Sequence, residues 1–218
     1  LISRMSKSLS ELGAEVIELP SIDLVPCEQN EPLQTALENI VSYQWVAFTS
    51  AMGVRFFFDF LQKNRVDVRR LSHLRFAVIG QGTRDELAKH GIFADLMPSS
   101  YYAKDLAQAL CQTMQKGQRV LLPRARIGSK DLTDILTQNG IEFTDVALYD
   151  TIYQSHNTHA VEKLIDDGQV SCAVFTSAST VRGFAATMQG KDLSLLTAAC
   201  IGEKTAQAAK EYNMKVMI

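Results

Sequence analysis

Four short turns in this sequence carry hydroxyl groups or glycine in a pattern that suits the binding of carboxylates or phosphates. Two turns have the form Thr-Ser after an apolar run, and two have a glycine followed by a threonine three positions later. The residues of these turns are Thr49, Ser50, Gly80, Thr83, Thr176, Ser177, Gly202 and Thr205. Where such a turn begins a helix, its free backbone N–H groups and the positive end of the helix dipole attract an anion without any lysine.

The same residue types also have a purely structural use, because serine, threonine and glycine are common helix N-caps. For any single turn, this structural role is the more frequent one. Four turns of the same kind, at the strand ends where α/β proteins bind their ligands, favour a binding function instead. We expect them to face one another across a cleft.

The four turns belong to an internal repeat. Residues 46–57 read VAFTSAMGVRFF and residues 173–184 read AVFTSASTVRGF. Further on, FAVIGQGT at 76–83 matches AACIGEKT at 198–205. The distance from threonine to glycine is 31 residues in the first copy and 26 in the second. This similarity predicts two related lobes, each of which presents the same two strand-to-helix turns.

Apolar runs that suit strands alternate with helical patterns, which predicts an α/β fold with parallel sheets covered on both faces. Strands are expected at 15–19, 45–50, 76–80, 93–98, 119–124, 142–154, 172–177, 198–202 and 215–218. Helices are expected over about 2–12, 33–42, 53–62, 83–89, 103–114, 132–140 and 158–166, and after 177 and 202. The segment 20–32 contains three prolines and is expected to be a connector rather than a core element.

Two long extended segments, at about 19–28 and 145–154, predict how the lobes are joined. If the two segments pair as a two-stranded link, the chain crosses from lobe one to lobe two and returns. Lobe one then consists of residues 1–27 and 152–218, and lobe two of residues 28–151. Because the sequence begins within a helical pattern, we expect the opening strand of lobe one to be missing from it.

Several arginines and one tyrosine near predicted strand ends are further candidates. Arg124 and Arg126 lie just past a strand and are placed to meet an anion. Arg55 and Arg182, which are equivalent in the repeat, are more easily explained as solvated or strand-capping residues. Tyr149 lies on the extended segment that enters lobe one. Its side chain either projects into the cleft or packs in the core or an interface, and the residues alone favour neither.

Composition and motifs exclude several classes of function. The chain has 218 residues and a formal net charge of −2, so bulk electrostatic binding of nucleic acid or an anionic membrane is not expected. There is no P-loop, no complete dinucleotide fingerprint and no GxSxG. His156 and His159 are three residues apart but lack a partner carboxylate or cysteine pair, so we do not expect a metal site.

The four cysteines are widely separated and form no CxxC. Cys172 and Cys200 lie in apolar, strand-like runs, so we expect buried free thiols. Free thiols fit a reducing cytoplasm. No apolar run reaches the roughly 18 residues that a membrane span requires, and no signal peptide is visible.

Taken in order, seven segments resemble the uroporphyrinogen-III synthase family over essentially the whole sequence. They are ELGAEVIELPSIDLVP, WVAFTSAMGVRFFF, FAVIGQGTRDELAKHGI, VLLPRARIGSKDLTDIL, ALYDT, VFTSASTVRGF and IGEKTAQA. The resemblance implies a cofactor-free, monomeric enzyme with two flavodoxin-like lobes joined by a two-stranded β connector. It also implies a lyase reaction of tetrapyrrole synthesis, on the way to heme, siroheme and cobalamin. In this reaction hydroxymethylbilane closes to uroporphyrinogen III with inversion of ring D and loss of water.

The resemblance also implies residue roles. Tyr149 corresponds to the family's cleft tyrosine, which hydrogen-bonds the departing hydroxyl or steers a ring. Thr83, Ser177 and Thr205 correspond to positions that face the cleft. Family members begin with a strand that ends in a Thr-Arg-type turn, and this sequence starts after it. The family has no indispensable acid–base pair, which agrees with finding none among these residues.

Two other classes of protein share some of these features. A two-lobed small-molecule binding protein of the periplasmic-receptor type has the same hinge and strand-end sites, but it needs an export signal. A two-domain glycosyltransferase is usually longer and needs an acidic residue that binds the nucleotide, which is not evident here.

Overall fold

The computed structural model of the chain describes residues 4–153 and 159–217. It divides into two compact units: unit 1 contains the described residues up to Asp23 and from Thr151 onward, and unit 2 is Leu24–Asp150. In chain order, the described elements are α1 (Arg4–Glu11), β1 (Ile22–Pro26), α2 (Glu31–Glu38), β2 (Trp45–Phe48), α3 (Ala51–Lys63), β3 (Arg75–Val78), α4 (Gln81–Ala88), α5 (Ala103–Thr113), β4 (Arg119–Ala125), α6 (Lys130–Gln138), β5 (Glu142–Tyr153), α7 (His159–Asp166), β6 (Ala173–Phe175), α8 (Ala178–Thr187), β7 (Thr197–Cys200), α9 (Glu203–Glu211) and β8 (Lys215–Val216). Short 3-10 helices occupy Ile40–Ser42, Val68–Leu71 and Leu193–Leu195.

The larger sheet has five strands in the order β1-β5-β4-β2-β3. β2 pairs in parallel with both β3 and β4, and β4 pairs in parallel with β5. Trp45 of β2 is opposite Arg75 on one side and Val120 on the other. The carboxyl ends of these parallel strands therefore meet at one edge of the sheet.

Both faces of this sheet are buried at its central strands, β2 and β4. Successive residues of a strand point to opposite faces. Val46 and Phe48 of β2 pack with α2, α3 and α4, whereas Trp45 and Ala47 pack with α5 and α6. Burial on both sides explains why β2 is apolar throughout rather than alternating. The predicted α/β arrangement with parallel sheets is confirmed.

Unit 1 has its own parallel sheet, in the order β6-β7-β8. Its core contains residues of β6, β7, α7, α8 and α9, and the rings of Phe175 and Phe184 meet edge-on with 5.5 Å between centroids. Gly183 lets the chain at Ser21 approach α8 closely, because a methyl group on this glycine would overlap the Ser21 carbonyl oxygen. The Ser21 hydroxyl also donates to the Thr180 carbonyl oxygen at 3.2 Å.

Two of the predicted strands are wrong. Residues 15–19 carry no regular secondary structure, because no described strand pairs with them. The segment 93–98 reduces to a single parallel bridge between Leu96 and Ala77, and Phe93 is 78% exposed. An apolar run forms a strand only where a neighbouring strand offers hydrogen-bond partners along its length.

The segment 20–32 also differs from the prediction, since it forms β1 and the start of α2. Its prolines suit these positions. Pro26 ends a strand at the edge of the sheet, and Pro32 lies in the first turn of a helix, where its missing N–H costs nothing. The helix predicted over 33–42 ends at Glu38, and a 3-10 turn follows it.

The first predicted helix is confirmed as α1, and Gly13 follows it with a φ of 89°, as in a helix C-cap. Ile2, which begins the predicted apolar face, lies outside the described residues, as does residue 158 at the predicted start of α7. Met5 and Leu12 of the same face are exposed. Helical spacing predicted the element but not the burial of its apolar side.

Candidate functional site

Two of the four candidate turns, the Thr-Ser turns, contain a serine that caps the following helix. Ser50 accepts a hydrogen bond from the Gly53 N–H at 2.9 Å, and Ser177 accepts one from the Thr180 N–H at 3.2 Å. The φ/ψ angles of the serines are −159°/154° and −161°/159°. The sequence repeat is therefore also a repeat of local structure. In both turns the serine oxygen already has the backbone partner expected of an N-cap.

The other two turns begin with glycine, and no described side chain caps their helices. Gly80, with φ/ψ of −175°/179°, precedes α4, and Gly202, with −175°/174°, precedes α9. The N–H groups in the first turn of an uncapped helix attract anions, and the helix dipole adds to the attraction. The glycine turns are therefore better suited to a carboxylate than the serine turns.

One backbone hydrogen bond holds the serine turn beside the glycine turn in each unit. In unit 2 the Ile79 N–H donates to the Phe48 carbonyl oxygen, and in unit 1 the Ile201 N–H donates to that of Phe175, both at 3.1 Å. Each isoleucine directly precedes its glycine, and each phenylalanine directly precedes its Thr-Ser pair. The two turns of a unit are therefore neighbours at the carboxyl edge of the sheet, where α/β folds bind ligands.

The threonines of the turns are of two kinds. Thr49 is half-buried and Thr176 is exposed, and each directly follows a strand. Thr83 and Thr205 have equivalent positions in α4 and α9 and are only 5% and 4% exposed. Their N–H groups bond the carbonyl oxygens of the turn glycines. Thr83 and Thr205 therefore mainly stabilise the conformation of their turns.

Tyr149 is buried beside one of the serine turns. Its side chain is 6% exposed, and its ring packs against that of Phe56 with 4.9 Å between centroids. The hydroxyl lies 3.1 Å from Ser50 Oγ. The ring thus belongs to the core of unit 2, while the hydroxyl reaches a candidate turn.

Arg124 does not join the other candidates. Its Nε and Nη2 bind the Asp145 carboxylate at 2.8 and 2.6 Å, and its Nη1 donates to the Ser129 carbonyl oxygen at 2.7 Å. The residue is buried, so this bidentate pair is of the stronger, charge-assisted kind. Gly128 permits the arrangement, because a methyl group there would lie 2.5 Å from Nη1. The pairing with Asp145 replaces the anion contact expected of Arg124.

Arg55 and Arg182 bind carboxylates on neighbouring helices. Arg55 holds Glu86 through Nε at 2.7 Å and Nη2 at 3.0 Å, and Lys89 contacts the same carboxylate at 2.8 Å. Mainly through the hydrogen bond from Arg55, these partners lower the pKa of Glu86 to about 2. Arg182 lies 3.6 Å from the Glu211 carboxylate. Both arginines join helices, which is a structural use of their charge.

The sequence did not predict a polar cluster next to Tyr149. Arg126 binds the Asp150 carboxylate at 2.7 Å and lies 3.2 Å from the Cys27 sulfur. Its N–H also donates to the Tyr149 carbonyl oxygen at 3.0 Å, and Asp150 raises the pKa of Arg126. Cys27 and Arg126 are 99 positions apart, and both lie next to β5. No local pattern reveals such a cluster.

The described residues contain no group of three or more histidine, cysteine, aspartate or glutamate residues suited to a metal ion. His156 lies outside them. All four cysteines are free thiols. Cys200 is buried, which raises its pKa, whereas Cys172 precedes β6 and is only half-buried, contrary to expectation. Over the same part of the chain, no helix has both the length and the apolar character that crossing a membrane requires.

These features define an α/β protein with parallel sheets and anion-attracting helix starts at the carboxyl ends of its strands. Comparison with known proteins gives the family. The chain belongs to the uroporphyrinogen-III synthase family, because the family model described as "Uroporphyrinogen-III synthase HemD" matches residues 3–218.

Curated relatives agree with this assignment. A porphyrin biosynthesis protein HemD from Ruminiclostridium josui is 40% identical over 212 residues, which are 97% of this chain and 42% of the relative. The chain thus spans less than half the length of that protein. A uroporphyrinogen-III synthase from Synechococcus elongatus is 30% identical, over 99% of this chain and 84% of the relative. Another from Chlorobaculum parvum is 26% identical, over 97% and 85%.

Solved structures show the same fold. A mutant uroporphyrinogen III synthase from Thermus thermophilus has a TM-score of 0.66 at 16% identity, covering 98% of this chain and 86% of its own. The synthase from Helicobacter pylori has a TM-score of 0.63 at 18% identity, covering 94% and 88%. At these identities the likeness concerns the fold, a mixed α/β fold with parallel sheets.

Proposed function

We propose that this chain carries uroporphyrinogen-III synthase activity. It closes linear hydroxymethylbilane to uroporphyrinogen III, with inversion of ring D and loss of water. Membership of the family over residues 3–218 is the observation that carries the proposal. The proposal extends to any longer protein that contains this chain, which would have the same synthase activity.

The turns at the strand ends bind the substrate. Hydroxymethylbilane carries eight carboxylates, whereas the chain has a net charge of −2, so recognition relies on local donors. The uncapped starts of α4 and α9, at Gly80 and Gly202, supply backbone N–H groups to carboxylates, and Thr49 and Thr176 supply hydroxyls.

Tyr149 assists the loss of the hydroxyl group or orients the ring that is to be inverted. Its hydroxyl donates a hydrogen bond to the departing hydroxyl of the hydroxymethyl group, which leaves as water with the proton that the adjoining pyrrole N–H releases. An azafulvene remains, and the substituted carbon of ring D then attacks it. The spiro intermediate formed in this way rearranges to the type III isomer. The hydrogen bond between Tyr149 and Ser50 supports this role, because it holds the phenol at a candidate turn before substrate arrives.

Most of the catalytic effect is attributed to orientation. The linear substrate also closes spontaneously without inversion, so the enzyme must hold ring D in the conformation that leads to the other product. Arg124 has a structural role in this account, because Asp145 and Ser129 engage its guanidinium. It fixes the turn that follows β4.

The organisation of the whole molecule is also part of the proposal. The units are two flavodoxin-like lobes, residues 1–27 with 152–218 and residues 28–151, joined by a two-stranded connector. In support, β1 and β5 are neighbours in the sheet, and each contains a boundary between units. The enzyme acts as a monomer in the cytoplasm, which suits four free thiols.

The test is to supply hydroxymethylbilane to the purified chain, oxidise the products to uroporphyrins and separate the isomers by chromatography. We expect the type III isomer to dominate, while buffer alone gives type I. A folded chain, verified by circular dichroism, that yields only type I at the rate of the buffer control would overturn the proposal.

A further inference from the structure

An aromatic ring that the repeat does not explain covers the turn between β3 and α4. A methyl group on Gly80 would lie 2.8 Å from Cε1 of Tyr101 and closer still to Cδ1, so the ring rests directly on this glycine. Tyr101 is nevertheless 68% exposed. Most of the ring surface therefore remains accessible at the start of α4, one of the two uncapped helices.

The equivalent turn of unit 1 is open. No described atom lies within 4 Å of a methyl group placed on Gly202. The φ of both glycines is −175°, which is extended backbone that any residue adopts. The backbone conformation therefore does not require glycine at position 80, whereas the position of the Tyr101 ring does.

The chain holds Tyr101 over the turn by fixing the residues on both sides of it. The Val78 N–H donates to the Leu96 carbonyl oxygen at 2.9 Å, next to the parallel bridge between Leu96 and Ala77. The chain after Leu96 therefore runs alongside β3 toward its carboxyl end. Beyond Tyr101, Tyr102 is the N-cap residue of α5, whose inner face is buried in the core. The ring is thus placed by two anchored segments.

We propose that Tyr101 contacts the substrate and positions one of its rings at the Gly80–Thr83 turn. This inference rests on the proposed function and adds a residue that the family resemblance did not supply. Each pyrrole of the substrate carries carboxylates on an aromatic ring. When a carboxylate binds the N–H groups at the start of α4, its pyrrole lies beside Tyr101, and two aromatic rings pack with offset or edge-on geometry.

A binding measurement tests this contact without requiring catalysis. Uroporphyrin III, the oxidised product, is titrated with the protein, and its fluorescence reports the dissociation constant. We expect Tyr101→Ala to raise the Kd about tenfold, which matches the upper range for one aromatic pair. Tyr101→Phe, which keeps the ring, is expected to bind within about twofold of the unsubstituted chain. Phe93→Ala removes another exposed aromatic ring of unit 2 and is expected to leave the Kd unchanged.

Gly80→Ala tests whether the glycine acts through the ring. A methyl group at this position displaces Tyr101, so it is expected to raise the Kd in the unsubstituted chain but much less in the Tyr101→Ala background. Equal effects in both backgrounds would overturn this part of the inference. An unchanged Kd in Tyr101→Ala, or equal losses in Tyr101→Ala and Tyr101→Phe, would overturn the contact itself.

The same variants separate this inference from the proposed function. With hydroxymethylbilane, Tyr101→Ala is expected to raise KM about tenfold with a smaller change in kcat. The substitution removes a binding contact but no group that takes part in the reaction. An unsubstituted chain that makes no type III product refutes the proposed function. If uroporphyrin binding still depends on Tyr101 in that case, the contact stands by itself.

Discussion

At the level of single residues, the ring and the hydroxyl of Tyr149 have different roles. Its ring contributes to the core, and only its hydroxyl, 3.1 Å from Ser50 Oγ, reaches the candidate site. Tyr149→Phe therefore keeps the packing and removes the proposed donor. We expect formation of the type III isomer to fall about 100-fold, the lower end of what a positioned proton donor supplies. The measurement is the initial rate of type III formation.

Tyr43→Phe is the matched control for this substitution. Tyr43 is also buried in unit 2, and its hydroxyl donates to Thr144 Oγ1 at 2.9 Å, away from the candidate turns. Both variants lose one partly buried hydrogen bond, worth about 1 kcal/mol of stability. Tyr43→Phe should retain full activity. Equal activity of the two variants would show that Tyr149 only packs.

Glu86 contributes to stability through its charge. Its folded pKa of about 2 lies below its ordinary value of 4.5, so its ion pairs stabilise the folded state above pH 4.5. This stabilisation is lost as the pH falls from 4.5 toward 2. Because Arg55 and Lys89 are 50% and 61% exposed, we expect Glu86→Gln to cost only about 1–2 kcal/mol at pH 7.

Denaturant unfolding of Glu86→Gln and the unsubstituted chain at several pH values measures this effect. The difference between the two proteins should be full at pH 7 and shrink below pH 4.5. Glu142→Gln is the control, since Glu142 is 68% exposed and 3.4 Å from Arg119, and such exposed pairs contribute little. A difference that does not change with pH would contradict the assignment to charge.

Residue roles were predictable from the sequence only where the cause is local. The cap positions of Ser50 and Ser177 follow from the residues beside them. The partner of Arg124 does not, because Asp145 is 21 residues away and meets it through the pairing of β4 with β5. An arginine after a strand can bind an external anion only if no carboxylate of a neighbouring strand already pairs with it, and the local sequence does not show which strand is the neighbour.

At the scale of elements, the serine turn of unit 2 has two functions that substitution can separate. Ser50 caps α3 and also contacts the Tyr149 hydroxyl. Ser50→Ala should destabilise the chain by about 1 kcal/mol, whereas Ser50→Gly should cost only a few tenths, because glycine is tolerated at an N-cap. Both should reduce synthase activity, since both remove the partner of Tyr149.

Thermal unfolding and initial rates on the same samples test this prediction. Ser177→Ala should show a similar loss of stability but a smaller loss of activity, roughly tenfold, because it removes one of many contacts. Ser50→Gly with unchanged activity would show that the Ser50–Tyr149 hydrogen bond does not contribute to the reaction.

The sequence predicted a strand well where the strand is buried on both faces, as β2 is. It predicted strands poorly where their formation depends on hydrogen-bonding to a neighbouring strand. Residues 15–19 and 93–98 are apolar enough for strands. Among the described residues, however, no strand pairs with 15–19, and 93–98 forms only a single bridge. Conversely, the proline-containing β1 exists because β5 lies beside it. Strand pairing depends on residues distant in sequence, which local patterns do not contain.

At the scale of the whole molecule, the two units differ in how completely their sheets are covered. All residues of β2 are buried, whereas Val174 of β6 is 43% exposed. Among the described residues, unit 2 has apolar clusters on both faces of its sheet, whereas those of unit 1 form one cluster. We expect amide hydrogens of β2 and β4 to exchange at least about tenfold more slowly than those of β6 and β7.

Hydrogen exchange followed by mass spectrometry, corrected for intrinsic rates, measures this difference. Exchange in β6 and β7 that is as slow as in β2 and β4 would contradict it. The result bears on function, because elements that open locally are more easily reorganised by a ligand. Addition of uroporphyrin III should then slow exchange in unit 1 if the Gly202 turn binds a carboxylate of the ligand.

The isomer composition of the product is the sharpest test of synthase activity, because the spontaneous reaction and the proposed enzyme give different isomers from one substrate. Hydroxymethylbilane is supplied at a fixed rate, and the fraction of type III product is measured at increasing concentrations of the unsubstituted chain. We expect this fraction to rise from near zero to nearly all of the product as the enzyme outcompetes spontaneous closure. A fraction that stays at the value of the protein-free control at every concentration of folded chain would refute the proposed synthase activity.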